Sequence, residues 1–141
     1  RDEASDLDFE REFKAQVKWN DKIGNPYVAT ADPELIEQIA ADDMVRGVTI
    51  ACGGFFGPQG RKLRLPLMDP ELNQKIEDFE YKDLRITNFE MESSALAGLG
   101  TLMGHKAMTC CMVIANRRAH KADSNYKNDI DGLITRVLDR I

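Results

Sequence analysis

The chain has 141 residues, enough for one modest domain with its own core, and is 43% hydrophobic and 30% charged. Its formal net charge of -5 argues against a nucleic-acid surface, because phosphate binding shows as a basic excess. No apolar run approaches the ~20 residues of a membrane span, no signal peptide is visible, and the acidic opening RDEASDLDFERE reads as part of something longer.

Residues 7–19, LDFEREFKAQVKW, fit an irregular strand and an amphipathic helix equally well. Asp32-Pro33-Glu34-Leu35 then opens a helix: Asp suits the cap, Pro the first turn and Glu the positive end of the dipole. Leu35, Ile36, Ile39 and Ala40 give that helix its buried stripe. The same four letters recur at Asp69-Pro70-Glu71-Leu72 and predict a second helix towards Phe79 by shared capping chemistry. Between them VRGVTIACGG is a strand of β-branched and small residues running into the Gly-rich loop GGFFGPQGR. LRIT, residues 84–87, is a short strand. Met91, Ala95, Leu99, Leu102 and Met103 follow at helical spacing and predict a helix packed through that face. KAMTCCMVIAN, residues 106–116, reads as a strand buried on both faces, and DIDGLITRVLDRI as a final amphipathic helix.

Strands alternating with helices imply an α/β fold, a mixed central sheet flanked by helices, incomplete at its N-terminus. Ligands in such sheets sit beyond the carboxyl ends of the strands. The loops after Cys52 and after Ala115 both leave at that end. The three cysteines, Cys52 and the neighbours Cys110 and Cys111, read as buried reduced thiols of a cytoplasmic protein. Neighbours in a strand point to opposite faces, so that pair is ill suited to sharing a metal. His105 and His120 have no partner spacing for a metal or a triad and read as surface residues. No metal site is expected.

Glu90 and Glu92 pose the sharpest question, two carboxylates two residues apart where an apolar helix begins. On a regular helix they would point ~200° apart, so both face one pocket only if Glu90 precedes the helix proper. Free N–H groups at a helix mouth welcome carboxylates, and complementing the dipole is the simplest competing explanation. Gly-Pro-Gln-Gly is good turn chemistry by itself, so Gln59 and Arg61 also read as solvated turn residues. Phe56 reads as a core aromatic.

Three stretches in order, GVTIACGGFFGPQGR, NFEMES and VIANR, resemble the nucleoside phosphorylases of the uridine phosphorylase type. The resemblance runs from about Val45 to Arg117 and more loosely over the ends, so that residues 1–141 correspond to the carboxyl-terminal part of a single phosphorylase domain. It implies that Phe55 packs on the base while Gln59 and Arg61 bond its polar edge. It implies further that Met91 lies under the sugar, that Glu92, with Glu90 nearby, accepts from the ribose hydroxyls, and that Arg117 approaches the base end. Purine-specific relatives carry a Ser-Asp pair after the last strand; here the chain reads Ala115-Asn116-Arg117, which favours a pyrimidine, most simply uridine.

The residue types suit that chemistry. Cleaving an N-glycosidic bond passes through an oxocarbenium-like sugar, and carboxylates serve comparable sugar cations. Negative charge grows meanwhile on the departing base, where an amide and a guanidinium offer matching donors and an acceptor. The implied reaction is phosphorolysis to free base and ribose 1-phosphate, with inorganic phosphate as co-substrate and no other cofactor. No Gly-x-Gly turn opens a helix here, so no phosphate site is expected within this chain. The resemblance also implies a homo-oligomer with sites shared between subunits, and no membrane partner. Two other readings use the same residues: a hydrolytic nucleosidase, and a catalytically inert nucleoside-binding or oligomer-building domain.

Overall fold

The computed structural model describes residues 4–116 and 121–141. Residues 7–17 resolve into a helix, α1 (Leu7–Val17), because Asp6 caps it by accepting from the Phe9 amide at 2.9 Å. Its inward positions Phe9, Glu10, Phe13 and Val17 follow helical spacing and are all buried. Glu10 lies in this apolar layer with its carboxylate bonded to the Val28 amide at 3.0 Å, which ties the following loop to the helix.

Helix α2 (Pro33–Ile39) starts where the Asp-Pro signal predicts, with the Asp32 carboxylate accepting from the Leu35 amide at 3.0 Å. The echo at Asp69 works differently. Its carboxylate accepts from Glu71 and pairs with Lys75 at 2.8 Å, so the second helix, α3 (Leu72–Glu77), begins two residues later than the first pattern implies.

Strand β1 (Val48–Ala51) runs parallel to β3 (Leu84–Glu90), with Ala51 opposite Glu90 and a register shift between Val48 and Thr49. Strand β2 (Glu80–Tyr81) pairs antiparallel with the start of β3, giving a mixed sheet in the order β1-β3-β2. Against it packs a cluster of Phe9, Phe13, Val17, Ile76 and Phe79, with Trp19 and Tyr81 at its rim. Ring centroids of Phe9–Phe79 and Phe13–Phe79 are both 5.2 Å apart in tilted or edge-on geometry, the arrangement aromatic quadrupoles prefer. This cluster holds α1 and α3 on the sheet and so fixes where β1 and β3 end.

The carboxyl-terminal third departs from the sequence expectation in three ways. The apolar run 106–116 is not a buried strand: only β4 (Ala115–Asn116) is regular, in a short ladder with β5 (Lys121–Ala122), and Val113 and Ile114 are exposed. Among the described residues nothing forms a ladder with residues 105–114; isolated bonds such as Asp32 N–H to the Ala107 carbonyl do not make a strand, and the run stays irregular. Helix α4 (Ser93–Leu102) forms as its spacing predicts but turns the other way. Ala97 is its buried residue, whereas Met91, Leu99, Leu102 and Met103 face outwards. Spacing defines a stripe and not the surface it meets. Third, Cys111 is exposed and Cys110 only half-buried, leaving Cys52 as the buried thiol; this follows directly from the missing strand. The last helix, α5 (Tyr126–Leu138), places Ile130, Ile134 and Leu138 in one exposed row. Its end is tied down by Arg140, which donates to the Ile39 carbonyl and to Asp43 at 3.0 Å. No helix among the described residues is long and apolar enough to cross a membrane.

Candidate active site

The parallel pairing of β1 with β3 sends two chain segments out of one edge of the sheet. Beyond the ladder, the Cys52 amide donates to the Glu90 carbonyl at 2.9 Å. From that point residues 53–61 leave β1 as a loop, and residues 91–93 leave β3 as the mouth of α4. In open α/β sheets this edge, past the strand carboxyl ends, is where ligands bind.

The loop is closed on itself. Gly57–Gln59 make one 3-10 turn, and the amides of Gln59, Gly60 and Arg61 bond back to the carbonyls of Phe56, Gly57 and Phe56. Gly60 adopts φ +74°, a left-handed conformation that side-chain-bearing residues rarely adopt. The Cys52 thiol donates to the Pro58 carbonyl at 3.5 Å, tying the turn to the end of β1. Gln59 is only 3% exposed, which rules out the solvated-turn explanation for it. Arg61 donates from Nη1 to Gln59 Oε1 at 2.7 Å and to the Phe55 carbonyl. Its guanidinium carbon sits 3.6 Å from the centre of the Phe55 ring, a cation–π stack. Phe55 is 52% exposed, and Phe56, expected in the core, is 51% exposed and meets Phe55 edge-on at 5.3 Å. The tight turn holds both rings at the surface, so Phe56 is not the core aromatic expected. Phe55, Gln59 and Arg61 thus form one contiguous unit.

The helix mouth resolves the question of the paired carboxylates. Glu90 is the last residue of β3, and Glu92 occupies the position before the first helical residue, Ser93. Glu90 therefore precedes the helix, as sharing a pocket required. Its carboxylate accepts from the Glu92 amide at 2.8 Å, the Ser93 amide at 2.7 Å and the Ser93 hydroxyl at 2.6 Å. Both oxygens are engaged, so Glu90 caps α4 from outside. Burial pulls its carboxyl upward in pKa, but these donors together outweigh that and hold it below the ordinary carboxylate range. Glu92 and Met91 are exposed beside it. Arg117 lies outside the described residues.

An open hollow of about 550 Å³ adjoins the loop, lined by Gly57, Arg61, Arg64 and the Leu63–Leu67 strap. Neither Met91 nor Glu92 lines it. One contact was not legible in the sequence: Asn73 on α3 donates to the Gln59 carbonyl at 3.4 Å across fourteen residues, and no local pattern announces it. Ser93, three residues after Glu90, had a signal: a hydroxyl on the first helical residue facing an upstream carboxylate is capping chemistry.

The sequence profile of the phosphorylase superfamily matches residues 2–140. Comparison with curated protein sequences gives no significant match. Among solved structures, the chain is similar to a Trypanosoma brucei nucleoside phosphorylase described as showing uridine phosphorylase activity, with a TM-score of 0.76 and 23% identity. The alignment covers 93% of this chain and 46% of that one, so the chain spans about half the length of the enzyme it matches, and the likeness is one of fold. A matched profile over nearly every residue, on a mixed sheet whose loop and helix mouth leave by one edge, identifies the chain as a member of the phosphorylase superfamily.

Proposed function

We propose that this chain provides the base and ribose contacts of a pyrimidine-nucleoside phosphorylase acting on uridine. The observation that carries the reading is the bond from the Cys52 amide to the Glu90 carbonyl, because it sets the Phe55–Gln59–Arg61 unit and the Glu92 carboxylate on adjoining strand ends. A nucleoside presents its base and its sugar diol in one rigid piece, and two neighbouring segments of these chemistries match it.

In the proposed reaction the exposed Phe55 ring offers a face to the uracil. The Gln59 amide, bonded to Arg61, contributes a polar group to the recognition of the pyrimidine edge. Arg61, already oriented, offers further N–H donors to the carbonyl oxygens on which charge collects as the glycosidic bond breaks. Preorganised donors of this kind are worth ~3 kcal/mol each in the transition state. Glu92 accepts from the vicinal ribose hydroxyls and fixes the ring, so that inorganic phosphate meets the anomeric carbon from the face opposite the leaving base. Glu90 holds the helix mouth in place, and the diol falls to Glu92. Phosphate adds to the anomeric carbon as the C–N bond breaks, giving ribose 1-phosphate and, after proton uptake from solvent, uracil.

The exposed apolar rows on α4 and α5 support association with further polypeptide, in line with a homo-oligomer. Uracil release by the full-length protein that carries this chain, assayed with and without inorganic phosphate, tests the reading. Release that depends on phosphate is expected. Equal release without phosphate would convert the assignment to a nucleosidase, and uridine binding without turnover would leave an inert binding domain.

A further inference from the structure

Helix α3 reaches the base loop through one side chain. Asn73 sits one turn before Ile76, which is buried in the aromatic cluster, and two residues before Lys75, which is paired with Asp69 at 2.8 Å. Leu72, just before Asn73, packs against the same cluster, so the helix is anchored on both sides of Asn73. From this fixed position the Asn73 amide lies flat against Gly60: a Cβ on Gly60 would fall 2.2 Å from Asn73 Nδ2 and 2.6 Å from its Cγ. The same Nδ2 donates to the Gln59 carbonyl at 3.4 Å. Its Oδ1 is buried and has no hydrogen-bond partner among the described residues. A buried acceptor left unpaired is costly, and packing α3 on the sheet does not require an amide at this position.

We propose that Asn73 is a positioning residue for the base-binding turn, pressing Gly60 into its left-handed conformation and orienting Gln59 and Arg61 on either side of it. Gly60 is the hinge between those two residues, so its backbone angle sets the relative direction of the amide and the guanidinium. Without Asn73 the space beside Gly60 opens, and the turn samples other directions. The inference rests on the assignment of Gln59 and Arg61 as base contacts, but it makes a claim about the turn that stands apart from turnover.

The test uses Asn73→Ala and Asn73→Ser in the full chain, with two readouts. Amide exchange is expected to quicken at Gln59, Gly60 and Arg61, whose N–H groups close the turn, and to stay unchanged across the β1–β3 ladder. The KM for uridine is expected to rise about tenfold, with the KM for phosphate unaltered, as displacement of a binding group dictates. Unchanged exchange at the three turn amides would overturn the proposal whatever the kinetics. Exchange that quickens everywhere, with a matching fall in thermal stability, would overturn it too, by showing a merely structural role. If the unmodified protein cleaves no nucleoside, the assignment of function fails while the exchange measurement still decides the role of Asn73.

Discussion

The two arms of the site are built on opposite plans. The loop arm satisfies itself: Arg61 is bonded to Gln59 and to the Phe55 backbone and stacked on the Phe55 ring, and Gln59 is buried. The helix-mouth arm divides its labour, with Glu90 wholly engaged in the cap and Glu92 left exposed. Under the proposed assignment, orientation is prepaid on the base side, where charge would develop, and left open on the sugar side, where the ligand would supply the missing donors. The difference teaches that a carboxylate at a helix mouth and a carboxylate that binds a ligand can be neighbours with distinct tasks.

Substitutions can break this contrast. Arg61→Ala in the full chain removes both the charge and the stack that orders the loop, and is expected to lower kcat/KM for uridine by roughly a hundredfold to a thousandfold. Steady-state kinetics checks it; unchanged turnover would leave the loop arm without a role. Glu92→Gln keeps the shape and one acceptor, and is expected to cost about tenfold to a hundredfold, with 2′-deoxyuridine losing less than uridine because it has one hydroxyl fewer to grip. Equal losses on both nucleosides would remove Glu92 from the diol.

Glu90→Ala should act on the scaffold first. Losing a cap typically costs about 1 kcal/mol, and urea denaturation measures it. The pH dependence has a definite sign. Because the folded carboxyl titrates below its ordinary value of 4.5, the cap contributes fully above that value and is lost as pH falls through the lowered folded one. Stability of the unmodified protein should therefore fall on acidification by more than that of Glu90→Gln. Parallel curves for the two would show that the cap does not depend on the ionised form.

The sequence made local chemistry legible and tertiary surroundings much less so. Asp32 capped its helix as the pattern required because cap and recipient lie three residues apart. The same reasoning put Glu90 ahead of α4. It failed for residues 106–116, where an apolar composition announced burial but the backbone partners that make a strand are a property of the whole sheet. It failed likewise for Met91, Leu99 and Met103: helical spacing defined their common face, and the packing of Ala97 on the other side decided which way they point. Of the site, Phe55, Gln59 and Arg61 came from a resemblance in short motifs, and the structure adds their mutual contacts. Asn73 was invisible because its message is a packing contact between elements distant in sequence. Complementing the helix dipole was visible as a competing explanation for Glu90, and the bonds its carboxylate accepts from Glu92 and Ser93 show how it caps α4.

Because the Pro58 carbonyl and the Cys52 thiol staple the start of the turn to the strand, while Arg61 closes back on Phe55 and Phe56, residues 53–61 form a self-closed cartridge whose tie to α3 is Asn73. Such a segment can be exchanged as a block for one of equal span without rethreading the sheet. If the proposed roles hold, such an exchange would alter which heterocycle is preferred while leaving the handling of the pentose untouched.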